Sequence, residues 1–95
     1  MVYYEWDPQK EKINFEKHGV HFWDAQRVFQ DPFSLQIKEQ WDNDEQRFLA
    51  TGLDRLMRIT TVVYTYRKEK IRIISARKAS KQEREIYESR AKNAR

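Results

Sequence analysis

At 95 residues, with 39 % hydrophobic side chains and a formal net charge of +4, the chain is a single domain (1–95), near the lower size limit for building its own core. The absence of cysteine excludes a disulfide framework, a thiolate metal site and a cysteine nucleophile. No apolar run approaches the roughly 20 residues that cross a bilayer, and the N-terminal MVYYEWDPQKEK lacks the apolar stretch of a signal peptide. A cytoplasmic protein with no membrane partner is expected.

Five Phe, five Tyr and three Trp give large burial per ordered residue and argue against disorder. In chain order, WDPQKEKINFEKHG predicts a helix over 8–18. Asp7 caps it, Pro8 takes the first helical position, and Gly19 ends it in a left-handed conformation. HFWDAQRVFQDP predicts a second, shorter helix with Phe22, Ala25, Val28 and Phe29 on one side, stopped by Asp31-Pro32. FSLQI alternates as a half-buried strand, and the acidic EQWDNDE reads as an exposed loop. RFLATGL and LMRITTVVYTY read as strands joined by a turn near Asp54-Arg55, and IRIIS as the fourth strand. Ser80 and Glu83 form a capping box opening a final helix over about 81–92. The expected class is α+β: two N-terminal helices, an antiparallel four-stranded sheet with helices on one face, and a C-terminal helix.

A two-residue loop at Lys68-Glu69 places Tyr66 opposite Ile71, Tyr64 opposite Ile73 and Val62 opposite Ser75. That register puts these residues on the core face and Thr65, Arg67 and Arg72 on the polar one, with Arg77 leaving toward the last helix. Phe29, Phe48, Tyr64, Ile71 and Ile73 are the expected core.

Charge is unevenly distributed. Residues 1–54 hold 6 basic and 11 acidic side chains, residues 55–95 hold 13 and 4. The C-terminal half therefore suits a polyanion. RIISARKASKQER, residues 72–84, carries five Lys or Arg and one acid. A solvated charged face is the plain reading. The sharper one has Arg67, Arg72 and Arg77 surrounding one phosphodiester, because the guanidinium fork donates two parallel hydrogen bonds. On the first helix Lys10, Asn14, Lys17 and His18 form a second basic strip, with Ile13 elsewhere; His18 either supplies a proton donor or merely caps the helix end. Glu45, beside Arg47, is either loop charge or a rigidly held base for a 2′-OH proton. No spacing of His and carboxylates makes a metal site, and Asp42, Asp44 and Glu45 lack the rest of a calcium loop. No cofactor is expected.

Four ordered segments together resemble the BrnT family of type II toxins: YEWDPQK…N…KHGV.F..A..VF.DP, then EQRF…G, VVYT.R and RIISARKAS..ER..YE. The resemblance implies a RelE-like fold and a ribonuclease that arrests translation. It also implies a ribbon-helix-helix antitoxin (BrnA-like), a 2:2 complex, and operator DNA reached only through that antitoxin. Carried over by motif, it points to Glu45 and Arg47, to Arg67, and to Arg72, Arg77 and Lys78. His21 departs from the small hydroxyl residue that relatives carry at the second helix cap. Two functions follow as expectations. The first is a metal-independent endoribonuclease with Glu45, Arg67 and Arg77 catalytic and Lys10, Lys17, His18, Arg47, Arg72, Lys78 and Arg84 binding RNA. The second is a non-catalytic nucleic-acid-binding module with Trp6, Trp23 or Trp41 as stacking platforms.

Overall fold

A five-stranded mixed sheet, in the order β1-β5-β4-β3-β2, carries the whole architecture. The computed structural model describes residues 2–42 and 44–94. The elements are β1 (Tyr3–Glu5), α1 (Pro8–His18), α2 (Phe22–Ala25), a 3-10 turn (Gln26–Gln30), β2 (Leu35–Asp42), β3 (Glu45–Leu53), β4 (Ile59–Arg67), β5 (Lys70–Lys78) and α3 (Lys81–Asn93). The α+β class and the three-helix outline stand as expected. Four differences are informative.

The first is β1, three residues too short to show a clear alternation, which joins β5 in parallel and makes the sheet five-stranded and mixed. Tyr4 packs against the core while Tyr3 pairs with Lys70 and Glu5 with Arg72. The second is the acidic stretch expected to be a loop. Its backbone continues β2 to Asp42, and Trp41 pairs with Gln46 and Asp42 with Glu45. The side chain of Trp41 lies outside the described part. The third is the second helix, only one α-turn long before it tightens to 3-10.

The fourth lies inside the β4–β5 pair. Tyr66 faces Ile71 and Tyr64 faces Ile73 as expected, but Val62 faces Ala76 rather than Ser75. One extra residue, Ile74, sits between the pairs Tyr64–Ile73 and Val63–Ser75. Such a bulge reverses the in–out alternation of every following residue. Arg72 and Arg77 are five apart and would otherwise point to opposite faces; here Arg72 pairs with Thr65 and Arg77 with Thr61, both on the face away from the first two helices.

The core lies on the other face, where Val20, Phe22, Ala25 and Val28 meet Ala50, Val62, Tyr64, Ile71, Ile73 and Ala76. Phe29 and Phe48 are only partly buried, packed at its margin, and Tyr66 is 56 % exposed because the helical layer ends before the end of β4. Asn14 holds α1 to the sheet. Its Nδ2 donates to Val20 O (3.0 Å) and Ala76 O (2.9 Å), and its Oδ1 accepts from Ala76 N (3.1 Å). One amide side chain thus satisfies both backbone groups of an otherwise unpaired stretch of strand edge.

The caps follow the sequence. Asp7 accepts from Gln9 N at 2.8 Å, and Gly19 closes α1 at φ 70°, a region costly for residues with a Cβ. His21 provides no side-chain cap for α2. Glu11 of α1 does so instead, accepting from Phe22 N (3.2 Å) and meeting His21 Nδ1 (2.9 Å) while Phe15 stacks on the imidazole.

Candidate active site

The sheet face opposite the core gathers most of the candidate residues. Continuing the register of β3, β4, β5 and β1 outward from Phe48–Tyr64 gives two rows across it. Glu45, Arg67 and Lys70 form the outer row; Arg47, Thr65, Arg72 and Glu5 form the next. Neighbouring strands lie about 4.8 Å apart, so charges on adjacent strands are within reach of one another. Thr65 lies beneath them, 3 % exposed, and its hydroxyl donates to Gln46 O at 2.7 Å.

Glu45 stands between two arginines. Its Oε2 accepts from Arg67 Nη2 at 3.2 Å, and its Oε1 lies 3.8 Å from Arg47 Nε. The carboxylate is about two-thirds covered while the Arg67 side chain is half exposed. A carboxylate with cations beside it on an open face can accept a proton while those cations receive negative charge. Glu5 makes a parallel arrangement, with Arg72 Nη1 at 2.9 Å and Lys70 Nζ at 3.9 Å. Neither Glu5 nor Lys70 emerged from sequence reasoning, because their strand pairing was not visible. The only signal was the short YYE ahead of the Asp7 cap.

Arg77 is not part of that cluster. Thr61, its partner, is six residues from Arg67 along β4, about 20 Å at the rise of an antiparallel strand. The expectation that Arg67, Arg72 and Arg77 surround one phosphodiester therefore gives way to a line of arginines along one face. Arg77 Nη1 and Nη2 donate to Glu83 Oε1 (2.7 Å) and Oε2 (3.1 Å). Glu83 also accepts from Thr61 Oγ1 and Ser80 N, the latter completing the capping box of α3. The Arg77 guanidinium, with the Ser80 N–H and Thr61 hydroxyl adding to it against the opposing effect of burial, holds the Glu83 carboxyl down at about 2.

The strip on α1 lies along the bulged strand. Lys10, Lys17, His18 and Asn14 line a groove of about 200 Å³ with Ile74 and Ser75. Ile13 lines it too, correcting the expectation that it lies elsewhere: one residue before Asn14 and four before Lys17, it falls inside the same helical arc. Ser75 shares the face of Arg72 and Arg77, so this groove opens beside the row of arginines. Lys78 and Arg84 line a separate basic cavity at the far end of the sheet with Arg58. Of the tryptophans, Trp6 packs edge-on against Phe22 and Trp23 is 59 % exposed. Among the described residues no group of three or more His, Asp or Glu has the placement of a metal site, and no helix is long and apolar enough to cross a membrane.

The sequence model of a family described as the ribonuclease toxin BrnT of type II toxin–antitoxin systems matches residues 6–83. The chain belongs to the BrnT toxin family. The crystal structure of the Brucella abortus ribonuclease toxin BrnT matches the fold with a TM-score of 0.67, covering 85 % of this chain and 100 % of that one at 24 % identity. At that identity the likeness speaks for the fold. No curated protein sequence matches the chain. Membership in the BrnT family makes the chain a ribonuclease toxin of a type II toxin–antitoxin system, with RNA as its substrate class and an antitoxin as its partner class. The BrnT match spans β3, β4 and β5, which supply Glu45, Arg47, Arg67 and Arg72, and ends at Glu83, the partner of Arg77.

Proposed function

We propose that the chain is a metal-independent endoribonuclease whose reaction centre is Glu45 with Arg67 and Arg47. The observation that carries this is the Glu45 carboxylate held between the two guanidiniums on an open face. A basic stripe lacking a carboxylate would instead favour a non-catalytic binding module. RNA brings its own nucleophile. The Glu45 carboxylate takes the proton of a 2′-OH and the 2′-oxygen attacks the adjacent phosphorus. The bond to the 5′-oxygen breaks and that oxygen takes a proton from solvent, leaving a 2′,3′-cyclic phosphate and a 5′-OH. Arg67 and Arg47 stabilise the charge that builds on the phosphoryl oxygens, where preorganised donors count most. Arg72, Arg77 and the α1 strip of Lys10, Lys17 and His18 bind the RNA backbone on either side, as sequence-independent cations do.

The test is purified protein on an end-labelled messenger RNA, with and without EDTA. Cleavage that persists in EDTA and leaves cyclic phosphate ends supports the reading. Cleavage abolished by EDTA and restored by a divalent metal overturns metal independence; equal cleavage of a 2′-deoxy strand overturns the use of the 2′-OH.

The antitoxin in this proposal is a ribbon-helix-helix protein forming a 2:2 complex that reaches operator DNA through its own dimer. Exposed apolar side chains such as Trp23 (59 %) offer surface for it. Co-expression with the neighbouring open reading frame should yield that complex on size exclusion, and two chains eluting apart would remove the support for it.

A further inference from the structure

The basic cavity at the far end of the sheet has no part in the centre described above. Its volume is about 350 Å³, within the range of pockets that hold small organic groups. Met57 and Arg58 come from the β3–β4 turn, Ile59 from the start of β4, Lys78 and Ala79 from the end of β5, and Arg84 from the first turn of α3. The three cations stand differently. Arg58 is fixed, its Nε on the buried Asp54 carboxylate (2.9 Å) and its Nη1 on Gly19 O (3.1 Å). Lys78 and Arg84 are exposed and, among the described residues, have no acidic partner.

Met57 completes the site. It is 68 % exposed and held at φ 64°, a conformation that disfavours a side chain of its size. Asp54 imposes that turn: its Oδ1 accepts from Leu56 N and Arg58 N, and its carbonyl from Met57 N. An exposed thioether on a rigid turn beside two unpaired cations matches a nucleotide in both halves. Sulfur packs favourably against an aromatic ring, and Lys and Arg take the phosphate. The amides of Lys81 and Gln82, at the start of α3, have no acceptor among the described residues and add positive potential close by.

We infer that this cavity is a second RNA subsite, in which Lys78 and Arg84 hold one backbone phosphate and Met57 packs against the adjoining base, a few nucleotides from the scissile bond. The inference rests on the ribonuclease reading above. It deepens that reading by giving the substrate a minimum length: the RNA must run past Arg77 from Glu45 to the turn. An acidic segment of a protein partner is the competing occupant. RNA fits better because the exposed Met57 adds a ring contact that a carboxylate does not use.

The experiment measures binding of a fully 2′-O-methylated RNA, which cannot be cleaved, to the intact protein. Lys78→Ala/Arg84→Ala should weaken binding about tenfold and make the dependence of log K on log salt shallower by about 0.7, the value for one phosphate of a single strand. Met57→Gly suits the left-handed turn, so the fold is kept. It should leave the salt dependence alone and remove the penalty of an abasic nucleotide at one position of the RNA. RNA shortened to two nucleotides should bind wild type and double variant alike. Unchanged affinity and salt dependence in the double variant, with RNA still bound and cut, overturns the subsite alone. Loss of antitoxin binding with RNA binding intact also overturns it and assigns the cavity to the partner. A wild-type protein that neither binds nor cuts RNA sinks the ribonuclease reading, and the subsite with it.

Discussion

Arg77 and Glu83 form a two-point pair, 2.7 and 3.1 Å, that ties the end of β5 to the first turn of α3. The same carboxylate caps that helix and receives the Thr61 hydroxyl. Arg77 is therefore a structural tie as well as a cation on the face proposed to bind RNA. Arg77→Ala should lower stability by about 1–2 kcal/mol, the lower part of the range for hydrogen bonds to charged groups because the pair is partly exposed. It should also weaken RNA binding. Urea titration alongside RNA binding by anisotropy checks both; unchanged stability would mean that the pair contributes nothing in solution.

The low Glu83 value makes this tie sensitive to acid. Folding depresses the carboxyl from its ordinary 4.5 to about 2, so the unfolded chain binds the proton more readily. Its contribution to stability is complete above pH 4.5 and disappears as pH falls to about 2. The Tm difference between wild type and Glu83→Gln should shrink steadily across that window. A constant difference there contradicts the linkage.

Glu45 and Arg67 should dominate the reaction itself. In the proposed mechanism Arg67→Ala removes a donor to the developing phosphoryl charge, so single-turnover cleavage should slow on the order of 100- to 1000-fold. Glu45→Gln should lose the proton acceptor with a comparable effect. Lys92→Ala, on the exposed last turn of α3, should match wild type. An Arg67→Ala variant that is folded and fully toxic on induction would return that arginine to the status of solvated surface.

Asn14 is expected to be the most sensitive polar position in the fold. Asn14→Ala leaves the N–H and C=O of Ala76 and the carbonyl of Val20 without their partner, at a cost of about 2–5 kcal/mol. Asn14→Asp keeps an acceptor for Ala76 N–H but sets negative charge against two carbonyls, so it should do no better. Thermal melts of the two variants test this directly.

The β4–β5 turn offers a gain. Lys68 (φ 51°) and Glu69 (φ 67°) both occupy the left-handed region that such two-residue turns demand and that Asn-Gly supplies readily. Lys68→Asn with Glu69→Gly should raise stability by about 1–2 kcal/mol. A lower Tm would mean that the lysine and glutamate side chains contribute more than their backbones cost.

Local chemistry made much of this fold legible. Asp7, Pro8 and Gly19 bound one helix and Ser80 with Glu83 opens another, because caps act within a few residues of themselves. The pairs Tyr66–Ile71 and Tyr64–Ile73 followed from alternation and a two-residue loop. The family pattern in the chain likewise matched over residues 6–83. What alternation could not reveal was β1, whose three residues are stabilised as a strand by β5, some 67 positions along the chain. Nor could it reveal the extra residue at Ile74, since nothing in RIISARK distinguishes a bulged strand from a regular one. Tertiary structure alone therefore decided the layout of the candidate site. The bulge turns Arg77 onto the face of Arg72, the β3–β4 register brings Arg67 to Glu45, and β1 delivers Glu5 to Arg72. The last two are contacts between residues distant in sequence, and in all three hydrogen-bond register rather than local preference sets which side chains share a face.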